Sequence, residues 1–147
     1  MENSNGVRRL QMLNAALALF GVVDSLYLWS FKWSGQLICA VGGCEAVNTS
    51  SYSMLLGVPV AALGAAGYAA LLALAVWALV ARDNAPAWLS DVRLTFASIG
   101  LFFAAYLTWV ELFILHDVCM WCVLQATAIT AMFIGLLVER RRESETA

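Results

Sequence analysis

Four long apolar runs separated by short polar breaks make up most of the chain. They cover residues 10–31, 57–81, 94–115 and 119–138, and each reaches the roughly 20 residues that an α-helix needs to cross the core of a bilayer. The pattern predicts an all-α integral membrane protein: a four-transmembrane-helix bundle forming a single membrane domain over residues 1–147. Arg8 and Arg9 ahead of the first run imitate a signal peptide, but the run is too long and has no clear small-residue cleavage site, so it reads as the first spanning helix. The break before residue 119 is so short that the third and fourth helices must form an antiparallel hairpin. The longest stretch outside the runs is 32–56, an outer loop whose second half mixes Val47, Tyr52, Met54, Leu55 and Leu56 with hydroxyl residues. That half predicts a short amphipathic helix capping the bundle. Gly57-Val58-Pro59 opens the second helix, with proline in the tolerated first turn. Ala61, Gly64, Ala65 and Gly67 predict close packing against a neighbour. Glu139 to Ala147 reads as a charged, disordered tail.

Composition and charge add an orientation. The chain is 63% hydrophobic with a mean hydropathy of +0.81, far beyond the usage of a soluble domain. Of eight Lys and Arg residues, Arg8, Arg9, Arg82, Arg93, Arg140, Arg141 and Arg142 flank one side of the runs, and Lys32 alone flanks the other. The positive-inside rule then makes both termini and the 82–93 loop cytoplasmic and puts loop 32–56 outside. Tyr27, Trp29, Trp33, Trp109 and Trp121 gather toward the outer interface, Trp77 and Trp88 toward the inner. A net charge of −2 suggests no nucleic-acid partner, and Arg140–Arg142 reads as an anchor to anionic headgroups of the lipid bilayer.

The candidate chemistry lies in four cysteines, all on the outer side. Cys119 and Cys122 form a C-x-x-C at the mouth of the fourth run, with Asp117 as its expected N-cap. Unpaired N–H groups and the positive dipole end of a helix favour thiolates there. Cys39 and Cys44 stand in the outer loop, and Gly42 and Gly43 let the backbone turn sharply enough for a bridge between them. Two such pairs on one face suit an electron relay by thiol–disulfide exchange. A membrane quinone is the natural acceptor, because Cys122 lies a turn deeper than Cys119. A C-x-x-C also fits half a zinc site, yet no second C-x-x-C is present to complete it, so no metal is expected. The alternative that stays open is a non-enzymatic membrane protein with two structural disulfides. Asp24 and Glu111 put carboxylates in the outer halves of spanning helices, fit either for proton handling or for packing. His116, three residues before Cys119, either supports its thiolate or is simply solvated.

Taken together, the C-x4-C of the loop, Val47, Ser50 and Tyr52 after it, G-x-P at the second helix and C-x-x-C at the fourth resemble the vitamin K epoxide reductase family in its bacterial form. The resemblance implies a bundle around a quinone of the ubiquinone or menaquinone type, in a bacterial inner (plasma) membrane. It implies that Cys122 reacts with the quinone and has Cys119 as its disulfide partner. It also implies that Cys44 exchanges with Cys119, that Cys39 meets the redox partner, and that Ser50 organises the loop or contacts the quinone. Many bacterial relatives carry a fused thioredoxin-like domain that this sequence lacks, so the expected partner is a separate thioredoxin-like (DsbA-like) protein. Animal members have a longer gap between the loop cysteines and a tyrosine where this chain has Ala126. DsbB-type oxidases have the two cysteine pairs in the reverse order.

Overall fold

The computed structural model describes residues 2–146. Its long helices are α1 (Glu2–Ser34), α3 (Val60–Ala81), α4 (Trp88–Val110) and α5 (Met120–Thr146), with a short α2 (Cys44–Thr49) between the first two. The four long helices are apolar enough to cross a membrane, and the chain is an integral membrane helical bundle. A π-helical turn, Glu111–Leu115, extends α4 toward the cysteines. At the core Ala18 of α1 meets Tyr68 and Leu71 of α3, Ala97 of α4 and Met132 of α5. Small residues set the spacing: a side chain at Gly21 would run into the Tyr68 ring, and one at Gly64 would press on the Ser25 hydroxyl. Gly67 has open space before it, so not every small residue of α3 marks a helix contact.

The helices run past the apolar segments at both termini, and the expected disordered tail is a correction. α5 continues to Thr146 because Glu139, at the start of that tail, is buried and fully engaged. Its carboxylate accepts from Arg93 Nη1 at 2.7 Å and Nη2 at 3.2 Å, from Gln11 Nε2 at 3.0 Å and from Asn14 Nδ2 at 3.4 Å. Arg140 adds an exposed ion pair to Asp91 at 2.9 Å. Arg93, which the sequence puts at a loop edge, is thus a core residue at 2% exposure, joining α4 to α5 and, through Glu139, to α1.

Removing one member of a buried ion pair strands the other charge. Arg93→Met is expected to cost about 3–5 kcal/mol, seen as a lower unfolding temperature in detergent. The Arg93→Met/Glu139→Met double variant removes both charges and is expected to regain most of that loss. A double variant no more stable than the single one would show that the stranded carboxylate is not the liability.

Candidate active site

The loop from α1 to α3 is built as a lid over the end of the bundle. Lys32, in the last turn of α1, donates to the Asn48 carbonyl at 2.8 Å and to Ser53 Oγ at 2.9 Å, tying the lid to the helix. Ser50 Oγ donates to the Val47 carbonyl at 2.7 Å, and the Ser50 carbonyl accepts from Ser53 Oγ at 2.8 Å. These bonds close the end of α2 and start a 3₁₀ turn at Ser51–Ser53. The amphipathic helix expected from the sequence is therefore only six residues long. A hairpin of β1 (Met54–Leu55) and β2 (Val58–Pro59) takes the rest, because Leu56 at φ 51° and Gly57 at φ 83° turn the chain back as a helix cannot. Pro59 ends β2, and α3 begins at Val60 and not at residue 57.

Cys39 and Cys44 are joined by a disulfide, with Cα atoms 6.0 Å apart. The bridged loop is docked on the start of α5 through its backbone. Gly43 N–H donates to the Val118 carbonyl at 3.0 Å, and Gly42 forms a β-bridge with Cys119. Gly42 has φ +96°, and any side chain there would collide with the Val118 carbonyl, so both its turn and its close approach require glycine. Ile38 is held from both sides: its N–H donates to Tyr27 Oη and its carbonyl accepts from Trp121 Nε1, each at 2.8 Å. The Tyr27 and Trp121 rings meet edge to face at 5.0 Å.

Cys119 and Cys122 are free thiols. The expected N-cap is corrected here, since α5 starts at Met120 and the residue before it is Cys119. The chain leaves the π-turn through His116 in the left-handed region at φ 54°, and Asp117 N–H bonds back to the Glu111 carbonyl. This turn carries the Asp117 carboxyl away to lie against Gly43. Cys119 takes the position before the first turn instead, and it is fully buried there. The Cys119 N–H donates to Glu111 Oε2 at 3.1 Å, a carboxylate at a helix N-terminus.

These contacts bring the two cysteine pairs together. Cys44, at 1% exposure, and Cys119, at 0%, share one buried cluster with Leu28, and Cys39 and Cys122 pack on its rim. Asn48 bridges the pairs, donating to the Cys44 carbonyl at 2.9 Å and pointing its amide at Cys119 Sγ from 4.0 Å. Among the described residues no three His, Cys, Asp or Glu side chains gather as a metal site.

Below Cys122 a cavity of about 380 Å³ lies among α3, α4 and α5. Its walls are mainly aliphatic and aromatic, Gly64, Gly67 and Gly100 open its floor, and Cys122, Glu111 and Gln125 supply polar groups. A smaller space of about 60 Å³ under the lid is lined by Ser50, Lys32, Asn48, Glu111, Cys122 and Gln125. Glu111 and Ser50 thus fall beside the cysteines. Asp24 does not: it is buried on α1 with neither carboxylate oxygen bonded, and lines neither cavity. Its neighbour Ser25 accepts a hydrogen bond from Gln125 Nε2. His116 is exposed, and its backbone conformation is what shapes the turn.

Three site residues were missed from the sequence: Asn48, Gln125 and Lys32. Helical spacing signals the first two, since Asn48 is four residues after Cys44 and Gln125 three after Cys122. Nothing local marks Lys32. Compared with models of known protein families, residues 12–137 match the Vitamin K epoxide reductase family.

Proposed function

The chain belongs to the vitamin K epoxide reductase family, and from that premise we propose that it is a membrane thiol–disulfide oxidoreductase passing electrons from a separate thioredoxin-like protein to a quinone. The product of the cycle is a disulfide in the partner, so the protein supports disulfide formation. One observation carries the reading: the bridged Cys39–Cys44 loop is hydrogen-bonded onto the start of α5, with Cys44 and Cys119 in one buried cluster.

The cycle balances with the groups at hand. A partner thiolate attacks the half-buried Cys39, and the partner's second thiol displaces it, leaving Cys39 and Cys44 reduced and the partner oxidised. The Cys44 thiolate then attacks Cys119 of a Cys119–Cys122 disulfide and releases Cys122. Cys39 attacks Cys44, restores the loop bridge and frees Cys119. The oxidised loop and free Cys119 and Cys122 correspond to this point of the cycle. The two thiols next close to a disulfide, giving two electrons and two protons to the quinone. A mainly apolar cavity with Cys122, Glu111 and Gln125 on its wall suits a quinone headgroup with an isoprenoid tail.

Ser50 fits a loop-organising role, since its hydroxyl and carbonyl tie α2 to the following turn. The distribution of basic residues supports cytoplasmic termini, with the cysteines on the periplasmic or extracellular side of a bacterial inner membrane. That side is where disulfides persist. The test is direct: purified protein in liposomes is given a reduced thioredoxin-like protein and either ubiquinone or menaquinone. Loss of quinone absorbance matched by partner oxidation is expected. No catalytic oxidation of the partner, with both quinones intact, would overturn the reading.

A further inference from the structure

The cycle moves two protons with its electrons, and one buried carboxylate stands where the thiols and the cavity meet. Glu111 is 4% exposed. Its Oε2 accepts the Cys119 N–H at 3.1 Å, and it lines both cavities that Cys122 lines. The residue opens the π-helical turn at the end of α4, and π-turns are frequent at functional sites. Through this turn Asp117 N–H bonds back to the Glu111 carbonyl, so backbone and side chain of one residue hold the segment that carries Cys119. A carboxylate serving only to cap α5 has no need to reach the cavity.

Resting on the function proposed above, we propose that Glu111 is the proton carrier of the quinone-reducing step. The Cys122 S–H bond breaks as its proton passes to the Glu111 carboxylate, and the Cys119–Cys122 S–S bond forms as the electron pair enters the quinone. Glu111 then gives its proton to one quinone oxygen and is ionised again. The second oxygen takes its proton from water on the cysteine side, matching the proton that Cys119 releases there.

Glu111→Gln separates this role from capping, because the amide oxygen still accepts the Cys119 N–H but the group carries no proton. A positioned acid–base group contributes about 10²–10⁴-fold. Single-turnover quinone reduction by the variant is expected to fall by roughly a hundredfold or more. A quinone-free readout is expected to hold. Reduction of the Cys119–Cys122 disulfide by the reduced partner, acid-quenched and mapped, runs through Cys44 and Cys119 and should proceed at about the parental rate in the variant, because the amide oxygen still accepts the Cys119 N–H. Glu111→Asp, which keeps a titrating group, is expected to restore part of the quinone rate. Quinone reduction at the parental rate in Glu111→Gln would overturn the proposal. So would a parallel loss of that disulfide exchange and of quinone reduction, which identifies a structural residue. If the parent protein itself reduces no quinone although its thiols exchange with the partner, the proposed function fails first, and this step with it.

Discussion

Cys122→Ala is expected to abolish quinone reduction, by roughly a thousandfold or more, as loss of a nucleophile does in other enzymes. The reason is positional. Cys122 lines both cavities beside Glu111 and Gln125, whereas Cys119 is fully buried behind the first turn of α5 and lines neither. A thiol at Cys119 cannot replace one that faces the acceptor. The Cys39–Cys44 bridge lies on the lid and makes its backbone contacts without Cys122, so the variant is expected to fold and to keep its loop disulfide. Stopped-flow quinone absorbance measures the loss, and thiol counting before and after reduction confirms the intact bridge. A variant with a tenth or more of the parental rate would make Cys119, or a group outside these pairs, the electron donor.

The bundle and its cysteines were legible because the signals are local and repeated. Four apolar runs admit one architecture, and the cysteine spacings mark pairs whatever the detailed path of the chain. What was not legible depends on contacts between distant residues or on backbone geometry against propensity. Arg93 and Glu139 are 46 positions apart, and nothing near either predicts that they tie α4 to α5. Leu56 adopts a positive φ that leucine rarely takes, so the hairpin before α3 is invisible to pattern. Asp117 has the right type and spacing for an N-cap, yet the π-turn and His116 rotate it toward Gly43 and leave Cys119 in the position before the first turn. The same π-turn sets Glu111 beside the thiols, a relation that helical periodicity from either α4 or α5 does not give.

The relay makes a second large effect. In the proposed cycle Cys39 resolves the bond between loop and helix, so Cys39→Ala is expected to leave Cys44 free to attack Cys119 with no thiolate beside it to complete the exchange. Docking favours that bond, since Gly42 and Gly43 hold the loop on Val118 and Cys119 by backbone contacts that the substitution leaves in place. The Cys44–Cys119 disulfide is then expected to become the dominant linkage under turnover, with electron flow from the partner falling to a small fraction of the parental rate.

Mapping that linkage tests the ordered relay most directly. Cys39→Ala protein in liposomes, supplied with reduced partner and quinone, is quenched in acid during turnover, digested and analysed by mass spectrometry for cysteine-linked peptides. The account predicts a peptide pair joining Cys44 to Cys119, with Cys122 free. Free Cys44 beside an intact Cys119–Cys122 disulfide throughout turnover would contradict it and return the two pairs to independent bridges.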